Sequence, residues 1–157
     1  MAYRIAGLDP APFMPLFAME EDALHRRRAR LAIADADRGY PCRASLSEAR
    51  RGDRVLLVHH IHHDVETPYR AGFAIYIREG AERAEFVDCT PPVFEGRILS
   101  LRGFDHEGTL VSARLAMPGE ADEAIRALLE ADGRIAYIDA HNAAYGCFAA
   151  RIERDQP

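Results

Sequence analysis

The residues with the clearest chemical reach in this chain are arginines, cysteines and histidines, and they fall in a few short segments. Cys42-Arg43 stands just before Ser45-Leu46-Ser47-Glu48. Tyr69-Arg70 follows Thr67-Pro68, Arg102 lies within Leu101-Arg102-Gly103, and His141-Asn142 is followed closely by Cys147. A guanidinium is a planar fork of donors that matches a carboxylate or phosphate in bidentate fashion. If these segments converge, Arg43, Arg70 and Arg102 could clamp a small anion. Tyr69 and Asn142 could orient it, and Cys42 or Cys147 could add covalent chemistry. The same residues have plainer uses. A free cysteine often only packs, an arginine beside a turn often braces backbone carbonyls, and an asparagine before small residues suits a turn.

Binding of a small carboxylate or phosphate in an arginine-lined pocket is therefore the leading expectation. A cysteine-dependent enzyme is its rival, with Cys147 or Cys42 as nucleophile and His141 as base. A non-catalytic interaction module, whose arginines only hold loops, is a third reading. His59-His60-Ile61-His62-His63 adds a cluster. On a regular strand His59 and His63 face one way and His60 and His62 the other. The second pair could then approach a metal with His141 or a cysteine. No Cys-x-x-Cys or His-Glu-x-x-His spacing supports that, and no metal ligand set is assigned. No Gly-x-Ser-x-Gly elbow or glycine-rich phosphate loop is present, so the cofactor question has no answer in the motifs. Arg51-Gly52-Asp53 sits between two expected elements and reads as a chance tripeptide.

Composition narrows the classes. All 20 basic residues are arginine, and the net charge is -5. Without lysine there is no Schiff-base nucleophile and no Walker lysine. An acidic chain lacks the basic face that phosphate backbones demand, so no nucleic-acid partner is expected. Three cysteines do not look like a disulfide framework. No segment reads as a signal peptide or membrane span. A cytoplasmic protein with reduced thiols and no membrane partner is expected, and a homo-oligomer is left open.

These side chains must be positioned by a single domain spanning residues 1–157, since the chain has the usual size of one and shows no linker or repeat. Prolines 10, 12 and 15 suggest an extended start. Residues 19–30 read as a helix, acidic at its beginning and arginine-rich at its end, with a short strand over 30–34. Ser45-x-x-Glu48 has the form of a capping box and predicts a short helix ending at Gly52. Strands are expected over 54–63, 73–78, 84–88, 97–104 and 109–117, the last two joined by Asp105-His106-Glu107-Gly108. Residues 120–132 give the best helix, with Ala121, Ile125, Leu128 and Leu129 as its apolar stripe and Gly133 as its stop. Strands over 134–141 and 145–153 close the chain. Short strands close in sequence favour antiparallel pairing. The expected class is α+β, with an antiparallel sheet that could close toward a barrel and two or three helices.

Several of these segments also carry a resemblance. They are Gly39-Tyr40-Pro41-Cys42-Arg43-Ala44-Ser45-Leu46, Arg51-Gly52-Asp53-Arg54-Val55-Leu56-Leu57, Thr67-Pro68-Tyr69-Arg70, Leu101-Arg102-Gly103-Phe104-Asp105 and His141-Asn142-Ala143-Ala144-Tyr145-Gly146-Cys147-Phe148. Together, in this order, they resemble the bacterial domain-of-unknown-function family 1203 over nearly the whole chain. The four-histidine stretch departs from the family's pattern. The resemblance implies a single domain and assigns no activity, cofactor or catalytic residue.

Overall fold

The computed structural model describes residues 2–155. Nine strands and two α-helices form two separate antiparallel sheets. The strands are β1 (Tyr3–Ala6), β2 (Ala29–Ile33), β3 (Arg54–His63), β4 (Ala71–Arg78), β5 (Glu85–Val87), β6 (Leu99–Phe104), β7 (Leu110–Ala116), β8 (Tyr137–Asn142) and β9 (Phe148–Arg154). The helices are α1 (Glu21–Arg26) and α2 (Ala121–Ala131), and single 3-10 turns cover Met14–Ala18 and Pro92–Phe94. The larger sheet has the order β5-β1-β9-β8-β6-β7 and the smaller one β2-β3-β4. The α+β class stands. The barrel does not, because each sheet keeps two open edges and no ladder joins them.

Helix α2 explains one face of the larger sheet. Ala121, Ala124, Ile125, Leu128 and Leu129 are buried, the spacing of a single apolar stripe. They share a core with Leu99 and Leu101 of β6, Ile138 and Ala140 of β8, and Ile5 and Ile152. Strand alternation then turns Ser100, Arg102 and Phe104, with Tyr137, Asp139 and His141, to the opposite face. That polar face is where the far end of β3 arrives. The smaller sheet has its own core, in which Leu56, Val58, Ile75 and Ile77 pack on Phe13, Phe17 and Leu24.

Three local expectations fail for physical reasons. Residues 45–51 form no helix. Leu46 is buried in the main core with a positive φ of 53°, a conformation that breaks a right-handed helix. Glu48 is diverted as well: its carboxylate accepts from the Gly39 and Tyr40 amides and pairs with Arg97. The helix expected over 19–30 stops at Arg26, since Arg28 also has a positive φ and β2 begins at Ala29. Gly133 is not the left-handed stop of α2, which ends into an extended Asp132. The sequence pattern also missed β1, which lies between β5 and β9. Among the described residues no helix is long and apolar enough to cross a membrane.

Candidate functional site

The end of β3 loses its regular alternation. Its pairing with β4 slips between Ile61 and His63, a bulge that re-aims the side chains around it. His60 meets the edge of Phe13. His62 turns elsewhere: it stacks on Phe148, with centroids 4.9 Å apart, and meets His141 edge-on at 4.9 Å. The proposed pairing of His60 with His62 is thus undone. Among the described residues no group of three histidines, cysteines or carboxylates is spaced to hold a metal. His63 is spent on structure. Its Nδ1–H donates to the Tyr69 carbonyl at 2.9 Å, and its Nε2 accepts from the Tyr137 hydroxyl at 2.7 Å.

These contacts enclose a cavity of about 380 Å³ on the polar face of the larger sheet. Its walls include His62, Tyr69, Arg70, Arg102, Asp139 and His141. The strand register supplies a row of charges across three strands: Arg102 of β6 opposes Asp139 of β8, which opposes Arg151 of β9. Asp139 is fully buried, and both its oxygens are taken by Arg151, at 2.7 and 3.0 Å. Arg151 also lies over the Tyr137 ring at 4.2 Å and reaches the His62 carbonyl. Arg102 has only a long contact from its Nε to Ser100 Oγ, 3.3 Å. Two cations therefore flank one carboxylate, and Arg102 is the one without an acidic partner among the described residues. Arg70 stands at the rim, its Nε on the exposed Asp64 carboxylate at 2.9 Å.

The histidines beside Arg102 are neutral. Burial, and then the nearby His141, push His62 down to about 3. Burial and the Arg102 charge push His141 down to about 4. His141 Nδ1–H donates to the Gly146 carbonyl at 3.1 Å, which leaves Nε2 as a lone-pair acceptor. His62 Nδ1 is buried without a hydrogen-bond partner.

Arg43, Asn142 and Cys147 line a second cavity, also of about 380 Å³, with Pro41, Leu57, Phe73, Tyr76, Arg97 and Tyr145. Arg43 is 3% exposed. Its Nε donates to the Phe148 carbonyl at 2.8 Å and its Nη1 to the Pro41 carbonyl at 2.5 Å. Burial pushes its pKa down, opposed chiefly by the nearby Cys147 sulfur. Asn142 Nδ2 donates to Cys147 Sγ at 3.2 Å. The turn between β8 and β9 makes this contact. The Asn142 amide bonds the Cys147 carbonyl, and Gly146 takes a φ of 78° between them.

The seven residues singled out in the sequence therefore divide. Tyr69, Arg70 and Arg102 meet in the first cavity with His141, while Arg43, Asn142 and Cys147 meet in the second. Cys42 belongs to neither: it is 1% exposed, packs in the smaller core, and accepts the Arg78 amide at its sulfur. His141, proposed as a base for Cys147, bonds the turn carbonyl and lines the other cavity. Sequence reasoning missed Asp139 and Arg151, whose importance lies in cross-strand register. The histidine run points to His62 only as a partner of His60 for a metal, not as part of this wall. A larger groove of about 640 Å³ lies beside the end of α2. Its arginine, Arg154, is bonded to the Leu129 and Ile135 carbonyls.

No curated protein and no solved structure matches this chain. One family model, described as "Protein of unknown function (DUF1203)", matches residues 39–154, and the chain belongs to that family.

Proposed function

In this member of the family, we propose that the cavity at the end of β3 binds a small carboxylate or phosphate, with Arg102 as its anchor. The observation that carries the reading is the imbalance in the cross-strand row, where Asp139 is consumed by Arg151 and the Arg102 charge is left facing the cavity. A half-buried guanidinium without a counter-ion gains most from an incoming anion, because low local polarity strengthens the pair. Arg70 adds a second cation at the rim, and Tyr69 supplies an apolar edge over Phe104. The lone pair on neutral His141 favours a ligand that also carries a donor, such as a hydroxy acid or a monohydrogen phosphate.

Titration calorimetry with inorganic phosphate and with lactate tests this. Binding to the wild-type chain should weaken about tenfold or more in Arg102→Ala, the cost of losing a charge-assisted contact. Arg102→Lys should recover only part of it, since an ammonium lacks the fork. Equal affinity in wild type and Arg102→Ala would remove the anchor and the reading with it.

A further inference from the structure

The second cavity has a charge in its wall that nothing beside it balances. The Arg43 guanidinium is charged at any ordinary pH, almost fully buried, and bonded to two neutral carbonyls, those of Phe148 and Pro41. Among the described residues no carboxylate bonds to it. Arg97, the other arginine of the wall, is already matched: it pairs with Glu48 and donates to the Val93 carbonyl. One uncompensated positive charge remains. A buried cation without a partner is costly, and an anion in the adjoining space offsets that cost.

A donor for such an anion is in place. Arg43 Nη2 bonds no described residue. Nor is it one of the fully buried side-chain atoms without a partner, which among the described residues are His62 Nδ1 and Asn142 Oδ1. Nη2 therefore keeps some surface, and the cavity that Arg43 lines is where that surface opens. The rest of the wall selects the body of the guest. Leu57, Phe73 and Tyr76 line it, Tyr40 holds Tyr76 edge-on at 5.2 Å, and Tyr145 stands at it 83% exposed. A hydrated phosphate uses such an apolar wall poorly, and a dianion exceeds the single positive charge available. An aromatic ring fills the space and stacks on these side chains.

We propose that the second cavity binds an aromatic monocarboxylate, its carboxylate on Arg43 Nη2 and its ring against Phe73, Tyr76 and Tyr145. The site is separate from the one anchored by Arg102, since the two cavities share no lining residue.

The chain has no tryptophan, so the fluorescence of 2-naphthoate, excited beyond the tyrosine band, comes from the probe alone. Titration of the full chain at pH 7 should saturate. 2-Naphthamide, the same ring without the charge, should bind at least about tenfold more weakly. Arg43→Met should weaken naphthoate about tenfold or more and leave the amide little changed. Arg102→Ala, in the other cavity, should leave naphthoate binding as in wild type. Saturating naphthoate should also slow alkylation by iodoacetamide of Cys147, which lines the cavity, and not that of the exposed Cys89. The alkylation readout and the comparison of acid with amide need no variant, so they decide the matter if Arg43→Met does not fold by circular dichroism. No saturable binding, equal binding of acid and amide, or an unprotected Cys147 would overturn the proposal, and none of these touches the phosphate reading at Arg102. A loss of naphthoate binding in Arg102→Ala that Arg43→Met does not share would also overturn it, by moving the aromatic acid to the first cavity.

Discussion

Arg102 and Arg151 look alike in the sequence, yet they have opposite roles because one aspartate separates them. Asp139 is fully buried and bidentate to Arg151, and breaking a buried pair from one side leaves the other charge uncompensated. Removing that carboxylate leaves two cations facing each other with no acid between them. Asp139→Asn should therefore destabilise the chain by about 2–4 kcal/mol, measured as a lower urea midpoint with an unchanged denaturant slope. The loss should shrink in millimolar phosphate, since an anion in the cavity can take the missing place. A midpoint within error of wild type would mean that Arg151 finds another partner. Several other arginines serve the plainer purpose foreseen for them. Arg83 bonds the Gly7 carbonyl, Arg38 the Glu95 carbonyl and Arg54 the Phe17 carbonyl. What could not be seen in the sequence is which arginine is left over, because that depends on who stands opposite whom across three strands.

At the scale of elements, the segment 41–46 is the one that most constrains the second cavity, and the residues just after β1 and just before β5 pin it. The Leu8 amide bonds the Arg43 carbonyl, and the Ala84 amide bonds the Ala44 carbonyl. Gly7 makes this approach feasible, since a Cβ there would come within 1.8 Å of the Ala44 oxygen. Backbone cannot yield as a flexible side chain can, so Gly7→Ala should cost more than about 2 kcal/mol, read from thermal or urea unfolding. Strand β3 and helix α2 were legible because their signals are local: a ten-residue apolar and histidine run, and a stripe at helical spacing. The expected helix after Cys42 was not. Its Ser45-x-x-Glu48 pattern is local too, but the glutamate bonds Gly39, Tyr40 and Arg97 instead, and burial of Leu46 sets the backbone. Strand β1 was hidden for a similar reason, being four residues held by neighbours 79 or more positions away.

At the scale of the whole molecule, the smaller sheet is seated on the larger one through histidines that must stay neutral, and this couples stability to pH. His62 is pushed to about 3 and His141 to about 4, both by burial first, against an ordinary value near 6.5. Above about pH 6.5 neither the folded nor the unfolded chain protonates these rings, and their contribution to stability is fully present. As the pH falls below that, the unfolded chain takes up protons that the folded chain refuses, so stability drops. The loss continues until the folded rings themselves protonate, near pH 4 for His141 and lower still for His62. For the almost fully buried His141 the loss between pH 7 and pH 5 should be about 2 kcal/mol, with a smaller share from the half-buried His62. Urea midpoints at pH 7, 6 and 5 measure it. His141→Gln, which cannot titrate, should flatten the dependence by close to one proton, and an unchanged slope in that variant would place the acid sensitivity elsewhere. An anion beside Arg102 lowers the cost of a positive charge on His141. Saturating phosphate should therefore shrink the acid loss in the wild-type chain and have less effect in His141→Gln. That difference ties the junction of the two sheets to occupancy of the cavity between them.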